Sequence, residues 1–286
     1  MSKQFPVRLN APKLPVAGDR PVVFHGVNKS GSLAMENVIR EAYHHSGRGH
    51  QCFSHYAGNP KHFEEIAPLL WQEEGHRFFC AHYLYGGIEM PSDTVLIGQV
   101  RHPLPRTLSV YGWLRRNYEA RHGSLDGMPD LERWVRSSQG RLHTVMSQFA
   151  VGFPPNYKKR LRAMSRGAVY DAAIVNLERD FAWFGVAEYF EESIFGFAHI
   201  CGLESVSPWR KDTRNKWRQP LAEIGSDTIA LIEEVFAHEI RFYEYAVALF
   251  HSRVEDIDFG DSLSDYKQRC AGEYGERQLL PSRIVQ

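Results

Sequence analysis

The chain has 286 residues, and its 34 Lys plus Arg balance its 34 Asp plus Glu, so the formal net charge is zero. That balance argues against a general nucleic-acid-binding protein, because such proteins carry an excess of basic residues. The hydrophobic fraction of 43% is sufficient for one large core. The cysteines are far apart and none is in C-x-x-C spacing, which disfavours a zinc site or a disulfide scaffold; they are Cys52, Cys80, Cys201 and Cys270.

The first residues, 1–19, contain prolines and basic residues but no apolar stretch of the kind found in secretory signals. No apolar run in the sequence has the length needed to cross a bilayer. We therefore expect a cytoplasmic protein with no membrane association. The expected organisation is an irregular leader over residues 1–20, one α/β domain over 21–253 and a polar tail over 254–286.

The first predicted elements are a strand, a polar loop and a helix. Residues 21–27 form a short apolar run with β-branched residues, which predicts a buried strand. Residues 28–32 are polar and contain a glycine, and the apolar spacing over 33–43 predicts a helix. A strand, loop and helix in this order open many α/β nucleotide-binding folds.

Further apolar runs predict strands over residues 51–55, 78–84 and 94–100, and helices over 63–74 and 103–117. The run over 94–100 is apolar almost throughout, which is typical of a parallel strand covered on both faces. In the second half we predict a helix over 131–149, a strand at 172–175 and another short apolar stretch at 181–186. Helices follow over 191–202 and 224–250, the second broken near Ala237. These elements predict a three-layer α/β/α fold with a mainly parallel sheet and a helix-rich C-terminal half.

The loop from Gly26 to Ser32 is suited to binding a phosphate group. Backbone N–H groups at a helix N-terminus attract anions, and glycine allows close approach. Lys29 adds a positive charge, and Ser30 and Ser32 add hydroxyl donors. Lys29 precedes Gly31, whereas an ATP-type Walker A loop has its lysine after the last glycine. The alternative interpretation is a capped turn with a surface lysine.

A second basic motif begins with Arg101, directly after the predicted strand over 94–100. Ligands bind at the carboxyl ends of parallel strands, and a guanidinium group suits a phosphate. Ser109 follows inside the next predicted helix, where its hydroxyl would point toward the same phosphate. The alternative is that Arg101 pairs with a carboxylate and Ser109 lies on the helix surface.

Together the two motifs resemble those of sulfotransferases that use 3′-phosphoadenosine-5′-phosphosulfate (PAPS), in particular the heparan 2-O- and chondroitin-type carbohydrate branch and its bacterial relatives. Lys29-Ser30-Gly31-Ser32 is similar to the 5′-phosphosulfate loop of that family, and the segment from Arg101 to Tyr111 to its 3′-phosphate motif. Looser similarities follow in order over residues 80–83, 184–193 and 211–215. The resemblance extends from about residue 22 to residue 250. It departs at Leu33, where the family has a second hydroxyl residue, and at Asn28, where it usually has proline.

The resemblance implies a P-loop-like fold and transfer of a sulfuryl group from PAPS to a hydroxyl of a carbohydrate or small molecule, releasing PAP, the desulfated product. Lys29 and His82 are the implied catalytic residues, with His25 as a rival base. The implied cosubstrate-binding residues are Lys29, Ser30, Gly31, Ser32, Arg101, Ser109 and Arg214. We expect no metal, since no cluster of metal ligands stands out, and we assign no catalytic role to Glu188.

Two other functions are compatible with the sequence. One is an ATP-dependent phosphotransferase, disfavoured because the predicted strand over 94–100 is followed by arginine and not by a Walker B aspartate. The other is a non-catalytic nucleotide-binding relative, suggested by Leu33 in the loop. The expected partner is a glycan or small-molecule acceptor, with no nucleic acid and no membrane, and self-association into a homo-oligomer remains open.

Overall fold

In a computed structural model of the chain, the described residues are 7–8, 16–55, 75–81, 85–137, 144–152, 154, 156–208, 217, 219–255, 257 and 259–274.

The centre of the structure is a five-stranded parallel sheet. Strand β1 (Val7–Arg8) stands apart from it and pairs antiparallel with β7 (Ser205–Val206). The central sheet has the order β3-β4-β2-β5-β6. Its strands are β2 (Val22–His25), β3 (Cys52–His55), β4 (Phe78–Ala81), β5 (Val95–Val100) and β6 (Phe181–Val186). The predicted α/β class with a parallel sheet is confirmed.

The strand order places a crevice between β2 and β5. The chain leaves β2 toward β3 on one side of the sheet, whereas it leaves β5 toward β6 on the other side. In open α/β sheets, ligands bind at such a switch point, outside the carboxyl ends of the strands. The two predicted phosphate motifs follow β2 and β5, so the topology brings both to this crevice.

Helices cover both faces of the sheet. In chain order they are α1 (Ser32–His45), α2 (Pro103–His122), α3 (Leu131–Arg136), α4 (Val145–Val151), α5 (Tyr157–Ala163), α6 (Arg166–Asp180), α7 (Phe190–Ile200), α8 (Ser226–Val235), α9 (Ala237–Glu255) and α10 (Gly260–Tyr274). Helices α1 and α7 pack together on one face, with α10 against α7, and α4, α6 and α9 pack on the other. This arrangement is the three-layer α/β/α fold expected from the sequence.

Among the described residues, the buried apolar side chains form two clusters. The larger one lies on both faces of the sheet and includes the wholly buried Trp183 and Phe24. The smaller one joins α2, α3 and α8 away from the sheet, through Leu108, Trp134 and Ile232 among others. Helix α2 therefore borders the sheet domain and a second small core.

The strand predicted at residues 172–175 is wrong, because these residues lie inside α6. The side chain of Ser165 caps the helix by accepting from the N–H of Ala168. The buried residues Val169, Ala173 and Leu177 are spaced four apart, which is the period of a helix face and not of a strand.

The predicted helix over 131–149 is also wrong as a single element. Helix α3 ends at Arg136, and the extended backbone of Ser137 (ψ 156°) prevents its continuation. Helix α4 begins again after Thr144, whose side chain forms a capping box with Ser147. The predicted break near Ala237 is confirmed, since α8 ends at Val235 and α9 begins at Ala237.

Residues 259–274 differ from the expected polar tail. They include α10, where Tyr266 is fully buried and contacts Phe195 of α7 with ring centroids 5.2 Å apart. The predicted helix over 63–74 lies outside the described residues. Among the described helices, none combines the length and the apolar character needed to cross a membrane.

Candidate functional site

The loop between β2 and α1, residues 26–31, has a backbone shape suited to binding an anion, and we refer to it as the anion loop. Lys29 has φ 64° and Gly31 has φ 82°, both in the left-handed region. Turns that include such residues orient successive N–H groups toward one concave surface. Gly31 precedes the first residue of α1, and no described side chain caps this helix end. In the first turn of α1 the N–H of Ala34 donates to the carbonyl oxygen of Gly31 at 2.9 Å, so the N–H groups of Ser32 and Leu33 are the ones placed to meet an external acceptor.

Two arginines, one directly after β5 and one in α2, donate to two carbonyl groups of the anion loop. The Nη1 atom of Arg101 donates to the carbonyl oxygen of Lys29 at 2.9 Å. The Nε atom of Arg106 donates to the carbonyl oxygen of Asn28 at 3.0 Å. The structure thus brings the two predicted phosphate motifs into one site.

One face of α2 lies along the anion loop. Arg106 contacts Asn28, and two turns later the Trp113 ring lies beneath the ammonium group of Lys29, 5.7 Å from its centroid. Ser109 lies between them in sequence, three residues after Arg106 and four before Trp113. This spacing places Ser109 on the same helix face. Trp113 is 38% exposed.

Two polar side chains are buried at the anion loop, one from the loop itself and one from β5. The Ser30 hydroxyl and both polar atoms of the Gln99 amide are fully buried and have no hydrogen-bond partner among the described residues. A Cβ at Gly31 would lie 3.5 Å from Nε2 of Gln99, so this amide is directly under the loop. Unsatisfied buried polar groups are costly in a folded protein and concentrate where a ligand or an ordered water completes the site.

The hydroxyl group of Ser32 has a partner inside the protein. It donates to the carbonyl oxygen of Val27 at 2.8 Å, which closes the anion loop on itself. Since a hydroxyl has a single hydrogen, Ser32 offers only its backbone N–H to an external anion in this conformation. The adjacent Leu33 is 46% exposed at the helix start.

A carboxylate follows the next strand of the sheet. Glu188, after β6, accepts from the backbone N–H of His102 at 3.3 Å and from the hydroxyl of Tyr243 at 3.1 Å. Burial raises the pKa of Glu188, and the nearby positive charge of Arg101 opposes that shift. Sequence reasoning gave Glu188 no role in the site, although its position after the strand adjacent to β5 was the available signal.

His102 itself is a structural residue. Its Nδ1 atom accepts from the backbone N–H of Leu104 at 3.2 Å, so the ring caps the start of α2. The ring also contacts Tyr243, with ring centroids 5.0 Å apart. Burial and then the positive charge of Arg101 lower the pKa of His102 to about 4. His102 is therefore neutral at physiological pH.

A second carboxylate, Glu239 in α9, interacts electrostatically with Arg106. Both side chains are buried, and the two charges attract each other. The Glu239 carboxylate also accepts from the backbone N–H groups of Val145 (2.6 Å) and Met146 (3.1 Å) at the start of α4. Arg106 thus binds the anion loop, and Glu239 binds the N-terminal end of α4.

Two of the predicted site residues, His82 and Arg214, lie outside the described residues. The rival base His25 is fully buried at the end of β2. Its ring packs among aromatic rings, with centroids 5.4 Å from Tyr85, 5.6 Å from Phe149 and 6.0 Å from Phe181. That environment is typical of a core residue and places the ring out of contact with solvent.

The described site combines positive charge and N–H donors around one concave surface. Lys29 and Arg101 supply the charge, and the end of α1 supplies the backbone donors. This arrangement can hold a phosphate or sulfate group. Among the described residues, no group of three or more His, Cys, Asp or Glu side chains is placed to hold a metal ion.

Comparison with protein-family models finds no match for this chain, and no curated protein matches it.

Proposed function

We propose that the chain is a PAPS-dependent sulfotransferase that transfers a sulfuryl group to a hydroxyl of a carbohydrate or small-molecule acceptor. The observation that carries this proposal is the contact between Arg101 and Lys29, 2.9 Å from Nη1 to the carbonyl oxygen. It joins the two motifs that resemble the 5′- and 3′-phosphate motifs of that family at one crevice of the sheet. A nucleotide with phosphates at both ends of its ribose needs two such positions.

In this proposal the anion loop holds the 5′-phosphosulfate. The backbone N–H groups at the start of α1 and the ammonium group of Lys29 are the donors. Arg101 and Ser109 hold the 3′-phosphate, which distinguishes PAPS from ATP. Lys29 rests above the Trp113 ring; such a contact at an exposed site is worth about 0.5–1 kcal/mol, so a doubly charged ligand displaces it readily.

The proposed reaction is an in-line displacement at sulfur. The acceptor oxygen forms a bond to sulfur while the bond between sulfur and the bridging oxygen of PAPS breaks. Lys29 stabilises the negative charge that develops on the departing phosphate. A base accepts the proton of the acceptor hydroxyl, and the resemblance assigns that role to His82. The deep burial of His25 weighs against it as the base.

The site is less suited to an ATP-dependent phosphotransferase. Lys29 lies before Gly31 within the loop, and its left-handed backbone (φ 64°) differs from a lysine in the first helical turn. The residue after β5 is Arg101 and not the aspartate that holds Mg²⁺ in P-loop enzymes. A guanidinium there suits a further phosphate group instead.

The deciding experiment is calorimetric titration of PAP, ATP and adenosine 5′-phosphosulfate into wild-type protein and Arg101→Ala. We expect PAP to bind most tightly and the other two at least tenfold more weakly, because only PAP has the 3′-phosphate. Arg101→Ala should lower PAP affinity by tenfold or more, since a charged phosphate contact is lost.

Arg48→Ala is the matched control. Arg48 is also half-buried and also donates from Nη1 to a backbone carbonyl, that of Gly202, at 3.0 Å. It lies beyond the C-terminal end of α1, at the opposite edge of the sheet, so PAP affinity should not change. Equal or tighter binding of ATP, or equal losses in both variants, would contradict the proposal. PAP binding without turnover of PAPS would favour the non-catalytic relative.

A further inference from the structure

A pocket of about 320 Å³ lies among α4, α5, α6 and the start of α9, outside the anion loop. Ligand pockets usually measure about 300–1,000 Å³, so this one suits a small molecule and not a long polymer. Its apolar wall comes from five side chains: Met146, Leu161, Met164, Val169 and Phe236.

The direction of the helices places the pocket at the ligand-binding edge of the sheet. In α9, Tyr243 donates to Glu188 beyond the carboxyl end of β6, and Arg253 donates to Phe181 at its amino end. Helix α9 therefore runs antiparallel to β6, with its N-terminus at the carboxyl edge. Helix α6 leads directly into β6, so its N-terminus lies at that edge as well. The pocket lies between these two N-termini, at the carboxyl edge of the sheet, where the anion loop also lies.

The mouth of the pocket is basic. Arg162 and Arg166 line it with exposed side chains, and Arg166 is fixed by donating to the carbonyl oxygen of Val235 at 2.6 Å. His238 also lines the pocket, and its buried Nδ1 atom has no hydrogen-bond partner among the described residues. Helix α5 adds further exposed cations at Lys158, Lys159 and Arg160. This local charge contrasts with the zero net charge of the chain.

Charged residues relate the pocket to the anion loop. Glu239 lines the pocket and its charge attracts the guanidinium of Arg106, and Nε of Arg106 donates to the Asn28 carbonyl of the loop. The two sites therefore lie at the same edge of the sheet. An acceptor and a sulfuryl donor need this relationship, because both must meet at one point for an in-line transfer.

We propose that this pocket is the acceptor site, and that it binds a small hydroxylated molecule with an apolar ring and one anionic group. The ring packs against the apolar wall around Met164, and the anionic group lies at the mouth between Arg162 and Arg166. The assignment of this ligand as the acceptor rests on the proposed sulfotransferase function. Binding to the pocket itself is measurable without any cosubstrate.

The test uses 4-hydroxyphenylacetate as the probe and 4-hydroxyphenylacetamide as its neutral counterpart. The protein is labelled with ¹³C at the methionine methyl groups, and two of its six methionines, Met146 and Met164, line the pocket. We expect the acid to shift these two methyl signals and to leave Met35 unchanged, because Met35 is buried in α1 on the other side of the sheet. The amide should bind at least fivefold more weakly.

Arg162→Ala/Arg166→Ala is the accompanying variant, and both residues are exposed, so folding should be retained. In this variant the acid should bind no better than the amide, while PAP titration should give the wild-type affinity. Absence of shifts at Met146 and Met164, equal binding of acid and amide, or an unchanged preference in the variant would each overturn the pocket assignment. Failure of PAP to bind, with the acid still shifting these signals, would contradict the sulfotransferase function alone.

Discussion

The Nε atom of Arg106 lies 3.0 Å from the carbonyl oxygen of Asn28, so a buried guanidinium in α2 supports the backbone of the anion loop. The charge of the same guanidinium attracts the buried carboxylate of Glu239. Burial lowers the pKa of Arg106 and raises that of Glu239, and each charge opposes the shift of the other. The pair is therefore sensitive to the loss of either partner.

We predict that Arg106→Met reduces the free energy of unfolding by about 3–5 kcal/mol, because it leaves the Glu239 charge buried without its cation. Urea denaturation measures this change. Glu239→Gln should also destabilise, and the double variant should lose less than the sum of the two single variants, since their interaction is removed once. Arg116→Met, exposed on the same helix, is the control and should stay within about 0.5 kcal/mol of wild type. Strict additivity would show that the two charges do not interact.

Gly31→Ala should affect ligand binding more than stability. Its φ of 82° is unfavourable for alanine, which costs about 1–2 kcal/mol, but a Cβ there meets Gln99 only at an ordinary 3.5 Å contact. Gly18→Ala is the matched control, since Gly18 has φ 63° and no atom within 4 Å of an added Cβ. Both variants should lose similar stability, measured by thermal unfolding. Only Gly31→Ala should weaken PAP binding, and equal PAP affinity in the two would exclude the loop as the phosphate site.

The stability of the protein should depend on the pH through His102. Its pKa in the folded state, about 4, lies below the ordinary value of 6.5. Between these values the unfolded chain binds a proton that the folded chain does not, so stability falls as the pH falls from about 6.5 to 4. Through His102 alone, the free energy of unfolding should fall by about 3 kcal/mol at most over this pH range.

His102→Asn tests this dependence, because asparagine also caps helices well but does not titrate. Urea denaturation at pH 7 and at pH 4.5 should show a smaller difference for the variant than for wild type. The same difference in both proteins would assign the acid sensitivity to other groups.

Much of the sheet could be predicted from the sequence, because buried parallel strands are continuous apolar runs. The run predicted over residues 94–100 is the clearest example, and residues 95–100 of it form β5. The strand predicted at residues 172–175 was wrong because β-branched residues in a short window do not distinguish a strand from a buried helix. The spacing of Val169, Ala173 and Leu177, which indicates a helix, is visible only in a longer window.

The sequence indicated the motifs of the candidate site but not the contacts between them. The position of Arg101 after a strand indicated its place at the carboxyl edge. Its contact with the Lys29 carbonyl depends on the left-handed backbone of Lys29, which no local pattern specifies for a residue other than glycine. Glu239 lies 133 positions after Arg106 in the numbering of the chain, and only the packing of α9 brings the two together.

Helix α2 contacts both the smaller apolar cluster and the anion loop. Leu104 and Leu108 belong to the small core with α3 and α8, whereas Arg106 on the same helix reaches the anion loop over the sheet. Proteins open locally in cooperative units whose free energies lie below that of global unfolding. If the smaller cluster is one such unit, its loosening would reach the anion loop through α2 while the sheet remains intact.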